Sequence, residues 1–64
     1  MKRRDLEKHL KKHGCRFHIH GGDHDIWVNP ETGKRVPLPR HNEIKTQLGK
    51  GICKTLGIPI IKKK

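Results

Sequence analysis

The chain concentrates side chains able to move protons or bind metal in one short segment, HIHGGDHDIW, from His18 to Trp27. This segment holds three imidazoles and two carboxylates around a Gly-Gly pair. An imidazole titrates near neutral pH, so it can act as acid or base, and it is also the commonest metal ligand. The segment therefore fits a metal site, a hydrolytic site or a polar hairpin without chemistry.

Alternation of apolar and polar residues places this segment on a hairpin. Residues 15–20 alternate strictly and predict a half-buried first strand, and residues 24–29 predict a second. Gly21 and Gly22, with Asp23, predict the tight turn between them, because glycine accepts the positive φ that such turns need. We expect the two glycines to have no role beyond forming the turn that presents His24.

The remaining elements follow from periodicity and from glycine and proline. Leu6 and Leu10 predict a first helix over 4–13 that stops at Gly14, and residues 34–38 predict a short third strand. A last helix is expected from Lys45 or Thr46 to a stop at Gly57. The order is α-β-β-β-α, an α+β fold with a three-stranded antiparallel sheet and both helices on one face. We expect a single domain over 1–64, with a short basic tail at 59–64.

The apolar positions define an expected core, in which the odd-numbered first strand and the even-numbered second strand face the helices. Its members are Leu6, Leu10, Phe17, Ile19, Ile26, Val28, Val36, Leu38, Ile44, Leu48, Ile52 and Leu56. The opposite face would then show Arg16, His18, His20, Trp27, Asn29 and Arg35. His24 shares parity with Ile26 and Val28, so we expect it at the extreme end of the strand, beyond the cover of the helices.

The charge balance favours a polyanionic partner. Lys and Arg number 16 against 6 Asp and Glu, a net charge of +10. Nucleic acid is the commonest partner for such a surface, ahead of anionic lipid or an acidic protein. A basic sheet face with one aromatic ring suits single-stranded RNA, so Arg16, His18, His20, Trp27 and Arg35 are candidate RNA contacts.

No apolar run approaches the length needed to span a bilayer, and the N-terminus lacks the apolar stretch of a signal peptide. We therefore expect a cytoplasmic protein with no membrane contact and free thiols at Cys15 and Cys53. His18, His20 and His24 could in geometry share a metal, but no second ligand pair has zinc-finger spacing. We expect neither a metal nor another cofactor.

Four segments in order, over 3–58, resemble the HicA family of toxin–antitoxin ribonucleases. They are RDLEKHL at 4–10 with His13 and Gly14, GDHDIW at 22–27, PRH at 39–41 running into EIK at 43–45, and ICKTLGI at 52–58. Three positions depart from the family pattern. Asp23 stands where a small hydroxyl residue is usual, Asp25 where a second histidine is frequent, and Thr46 where proline is usual.

The resemblance implies a fold like the double-stranded-RNA-binding domain and a type II toxin that cleaves messenger RNA without metal. It also implies that the histidine matching His24 is catalytic, and that a HicB-type antitoxin masks the site in a hetero-oligomer. A non-catalytic RNA-binding module on the same fold is the alternative. A DNA-binding fragment is disfavoured because no helix-turn-helix pattern is evident.

RNA carries its own nucleophile, the 2′-hydroxyl, so the enzyme need only move protons and neutralise charge. We expect His24 to act as general base, or as combined base and acid. Asp23 and His41 are candidates for catalytic support. Arg16 or Arg35 is expected to hold the phosphate.

Overall fold

The computed structural model describes residues 1–61, and its elements follow the predicted order. Helix α1 spans Arg3–Lys12, strands β1, β2 and β3 span Arg16–Gly21, His24–Asn29 and Lys34–Pro39, and helix α2 spans Thr46–Leu56. The strands form one antiparallel sheet in the order β1-β2-β3, with β2 in the centre. The α-β-β-β-α fold is thus confirmed, while Lys62, Lys63 and Lys64 of the predicted basic tail lie outside the described residues.

One hydrophobic core joins the two helices to one face of the sheet. Leu6 and Leu10 come from α1, Ile52, Cys53 and Leu56 from α2, and Trp27, Val36 and Leu38 from the sheet. Cys15 and Cys53 are buried free thiols. Burial raises the pKa of the Cys15 thiol, and the nearby Cys53 raises it further.

Both helices end in the same hydrogen-bonded glycine cap. Gly57 has φ +74°, its N–H donates to the Lys54 carbonyl, and the Ile58 N–H donates to the Cys53 carbonyl. Gly14 has φ +86°, and the N–H groups of Gly14 and Cys15 make the equivalent bonds to α1. This pattern satisfies the last carbonyls of a helix and turns the chain sharply, so both predicted stops are explained.

A β-bulge at His18 changes which residues of β1 share a face. Phe17 pairs with Trp27, but Ile19 pairs with Ile26, so the register shifts by one residue between them. Directly paired residues project to the same side of a sheet. Phe17 and Ile19 therefore lie on opposite sides, and they are 42% and 52% exposed.

The faces predicted for β2 are wrong, because the strand is turned the other way. Trp27 and Asn29 are 3% and 5% exposed and face the helices, whereas Ile26 and Val28 are only half-buried on the outer face. The prediction that Leu48 belongs to the core is also wrong, because this residue is 45% exposed. The outer face is not covered by any described element.

Two hydrogen bonds, one of them to a distant element, explain why the polar Asn29 side chain occupies the inner face. The Asn29 side-chain amide donates to the Leu56 carbonyl at 2.7 Å, and its oxygen accepts the Glu31 N–H at 3.0 Å. A buried amide satisfied in this way ties β2 to the end of α2, at little desolvation cost.

The chain before α1 pairs with the loop that follows β3. The Ile44 N–H donates to the Met1 carbonyl at 2.7 Å, the Arg3 N–H donates to the Asn42 carbonyl at 2.8 Å, and Lys2 bridges to Glu43. These bonds fix a loop that carries no regular structure of its own. None of the helices within 1–61 has the length and apolar character to cross a membrane.

Candidate active site

His24 is the first residue of β2 and directly follows the hairpin turn. Gly22 in that turn has φ +49°, a left-handed value that glycine adopts without strain. His24 pairs with Gly21 on one side and Pro39 on the other. Its parity with Ile26 and Val28 is as predicted, but these residues face outward, so His24 lies exposed on the uncovered face.

An open cleft of about 470 Å³ lies beside the imidazole, lined by Asp23, His24, Pro39, Arg40 and His41. The turn therefore supplies one wall and the end of β3 the other. Within residues 1–61, neither the His24 nor the His41 side chain forms a hydrogen bond or ion pair, so both imidazoles are free to contact a ligand. Of the predicted supporting residues, the structure brings both Asp23 and His41 to the cleft.

Arg16 and Arg35 lie on the same outer face but far from the cleft. Both pair with Val28, four residues along β2 from His24. At about 3.3 Å per residue this separates them from His24 by about 13 Å. The prediction that either would hold the phosphate at His24 is wrong, although both share a face with it.

The three histidines of the hairpin do not converge. His18 occupies the bulge, His20 pairs with Asp25 on the helix-facing side, and His24 points to the outer face. Across the part of the chain that the structure describes, no group of three or more His, Cys, Asp or Glu side chains is arranged to hold a metal ion.

Trp27 cannot stack on a base in this fold, so its prediction as an RNA contact is wrong. The ring lies in the core, and the Lys11 ammonium is 6.0 Å from its centroid. Its indole N–H is buried, and it has no hydrogen-bond partner among the described residues. The bulge at His18 and the reversed face of β2 together account for the error.

A charge cluster that the sequence did not predict lies behind the cleft, centred on the Asp25 carboxylate. Its Oδ2 accepts from Nη2 of Arg3 at 2.7 Å, and its Oδ1 accepts from Nε of Arg40 at 3.0 Å and Nδ1 of His20 at 2.9 Å. A carboxylate only accepts, so Nδ1 of His20 carries the proton in this contact. The Asp25 side chain is 13% exposed.

The hydrogen bond from His20 holds the pKa of Asp25 below its usual value, and the hydrogen bond and charge of Arg40 and the hydrogen bond from Arg3 lower it further. Desolvation opposes this shift but does not outweigh it. The carboxylate is therefore charged throughout the physiological range.

Arg3 connects the cluster to the rest of the fold. Its Nε donates to the Pro39 carbonyl at 2.8 Å, its Nη1 is paired with Glu7 at 2.6 Å, and its own N–H reaches Asn42. Sequence reasoning missed Arg3 and Arg40 because they are 22 and 15 residues from Asp25. The only sequence feature that could have pointed to Arg40 as a site residue was its position beside His41.

Comparison with known proteins identifies the chain. No curated protein and no solved structure matches it. The family model described as the HicA toxin of bacterial toxin–antitoxin systems matches residues 3–58, which is most of the 64-residue chain. The chain therefore belongs to the HicA toxin family.

Proposed function

We propose that this toxin is a metal-independent endoribonuclease that cleaves messenger RNA in the cytoplasm, with His24 as its catalytic residue. The observation that carries the proposal is the position of His24. It is an exposed imidazole without a side-chain partner among residues 1–61, in a cleft that also holds Arg40 and His41. A basic protein presents this cleft on a sheet face that no described element covers.

The chemistry requires three contributions from the cleft. His24 removes the proton from a ribose 2′-hydroxyl, whose oxygen attacks the adjacent phosphorus. The bond from phosphorus to the 5′-oxygen breaks, and that oxygen takes a proton from His41 or from the protonated His24. The guanidinium of Arg40 neutralises charge that builds on the non-bridging oxygens. The products are a 2′,3′-cyclic phosphate and a 5′-hydroxyl end.

The outer face of the sheet extends the proposed RNA contact beyond the cleft. Arg16 and Arg35 flank Val28 at the far end of β2, where they can meet phosphates of neighbouring nucleotides. His18 in the bulge and His20 on the helix-facing side of β1 are also exposed, and both remain proposed RNA contacts. Such a surface gives affinity with little base selection.

Cleavage of an unstructured, end-labelled RNA in the presence of EDTA tests the proposal. We expect cleavage by the wild type and a rate about 10²–10⁴ lower for His24→Ala. His13→Ala, which removes an imidazole from the end of α1, is the matched control and should cleave like the wild type. Loss of wild-type cleavage on adding EDTA would contradict the metal-independent mechanism.

Non-catalytic RNA binding is the second candidate, favoured by the net charge of +10. The same experiment separates the two functions. Equal RNA binding by wild type and His24→Ala, with no cleavage by either, would establish a binding module and contradict the nuclease.

We also propose that a HicB-type antitoxin covers the outer sheet face in a hetero-oligomer. Ile19 is 52% exposed there beside the half-buried Ile26, so a partner would bury apolar surface next to the cleft. The product of a neighbouring reading frame resembling HicB should abolish cleavage when it is added in equal amount. Ile26→Asp should weaken that complex at least tenfold, because burial of an unpaired charge is unfavourable. An unchanged affinity would contradict this placement of the antitoxin.

A further inference from the structure

The cleft contains a cation whose position is set by a second charged residue. Among the described residues that line the cleft, Arg40 is the one permanent cation. It follows the last residue of β3, and its side chain is 43% exposed. An arginine at such a site has many rotamers unless a fixed acceptor selects one.

Asp25 provides that acceptor. Its Oδ1 accepts the Nε–H of Arg40 at 3.0 Å, so Asp25 holds the guanidinium through Nε and leaves both Nη groups unbound by the carboxylate, on a side chain that lines the cleft. Nη2 also lies 3.4 Å from Nδ1 of His20, but that nitrogen already donates its proton to Asp25. The Nη groups therefore have no committed acceptor within the described chain.

The carboxylate is itself bound from two directions. His20 on β1 binds the same oxygen as Arg40, and Arg3 on α1 binds the other oxygen at 2.7 Å. Arg3 also binds the Pro39 carbonyl, immediately before Arg40 in sequence. One helix and two strands thus determine where the Arg40 guanidinium lies, although Arg40 belongs to none of them.

We propose that Asp25 is a positioning residue, which orients the Arg40 guanidinium so that its Nη groups contact the scissile phosphate in the cleft. Arg40 touches the phosphate, and Asp25 acts only through Arg40. The inference rests on the proposed nuclease function and deepens it by naming the residue that positions the phosphate-binding Arg40. It predicts opposite effects of Asp25 on the chemical step and on RNA binding, since the Asp25 carboxylate also repels the RNA. Its removal should lower the rate of the chemical step without weakening binding.

A double-mutant cycle on kcat tests the inference. We expect Arg40→Gln to lower kcat about 10²-fold and Asp25→Asn to lower it about tenfold, because the guanidinium is lost in one and misplaced in the other. The double variant should match Arg40→Gln alone, and KM should stay constant or fall for Asp25→Asn. Glu31→Gln, an equal change of charge on the exposed turn after β2, should match the wild type.

Four results would overturn the proposal. Losses in kcat that multiply in the double variant would show that Asp25 acts independently of Arg40. A wild-type kcat for Asp25→Asn would show that Arg40 does not need Asp25 for the chemical step. A raised KM for Asp25→Asn would show that Asp25 supports RNA binding instead. Should Asp25→Asn fail to fold, Arg40→Lys decides. This variant keeps the charge but loses the contact from Nε, and an undiminished kcat would contradict the proposal.

A spectroscopic readout separates this inference from the nuclease function itself. In ¹⁵N-correlated NMR spectra, the Arg40 Nε–H signal should be resolved in the wild type. In Asp25→Asn it should overlap with the signals of the other arginines. Adding an all-2′-deoxy oligonucleotide, which cannot be cleaved, should shift the wild-type signal. If both signal changes are seen in a protein that cleaves no RNA, the nuclease proposal fails, but the positioning of Arg40 by Asp25 is supported. If they are not seen, the positioning fails whatever the activity.

Discussion

The two faces of strand β2 differ in a way that hydropathy alone does not predict. The helix-facing side carries Asp25, Trp27 and Asn29, while the outer side carries His24, Ile26 and Val28. The inner side thus has two polar residues and the outer side two aliphatic ones. The Asp25 and Asn29 side chains each have a partner from a distant element, whereas the outer face has no cover among the described residues. Polar groups can face a core when the fold satisfies them, and aliphatic groups can face outward where a ligand or partner binds.

The largest expected difference between the two faces is in the stability lost on substituting the neighbouring residues Trp27 and Ile26. Trp27→Ala should lower the free energy of unfolding by about 3–5 kcal/mol, because it leaves a cavity in the core. Ile26→Ala should cost only about 1 kcal/mol, since its side chain is half-buried. Urea denaturation measures both. Equal losses would mean that β2 does not present Trp27 to the helices.

A smaller effect is expected at the inner amide. Asn29→Ala should cost about 1–3 kcal/mol, because the Leu56 carbonyl and the Glu31 N–H both lose their partner. The control is Asn42→Ala, an exposed amide that should change stability by less than about 0.5 kcal/mol. If the two variants are equally stable, the buried amide does not tie β2 to α2.

The smallest effect is the pH dependence contributed by Asp25. His20, Arg40 and Arg3 lower its pKa from the ordinary 3.8, so the folded chain holds this proton less tightly than the unfolded chain. The resulting stabilisation is complete above the ordinary pKa and is lost as pH falls through the lower, folded value. The difference in urea midpoint between wild type and Asp25→Asn should therefore shrink between about pH 5 and pH 3.

Glu31→Gln supplies the baseline for that comparison, since its carboxylate is exposed and forms no ion pair within 1–61. A gap between wild type and Asp25→Asn that stays constant down to pH 3, or widens, would contradict the lowered pKa.

Local chemistry explains the parts of the fold that the sequence predicted. Gly14 and Gly57 end helices in left-handed caps, and Gly22 forms the turn that brings His24 to the start of β2. These features depend on residues adjacent in the chain. They were sufficient to predict the order of the elements, the ends of both helices and the position of His24 in the hairpin.

Tertiary contacts explain what could not be predicted. The bulge at His18 shifts one register and separates Phe17 from Ile19. The inner position of Asp25 depends on Arg3 and Arg40, which only the folded chain brings together. Because the partners were not visible in sequence, the alternation was assigned to the wrong faces. Trp27 was then expected on the RNA surface, and Arg16 and Arg35 were expected at the phosphate.

The most direct test of the central claim replaces one ribose oxygen in the substrate. An RNA oligonucleotide with a single 2′-deoxy nucleotide at the mapped cleavage site is compared with the unmodified RNA. If His24 activates the 2′-hydroxyl, that linkage stays intact while binding is retained, and the unmodified RNA yields 2′,3′-cyclic phosphate and 5′-hydroxyl ends. Cleavage at the deoxy position, or products with 5′-phosphate ends, would contradict this account.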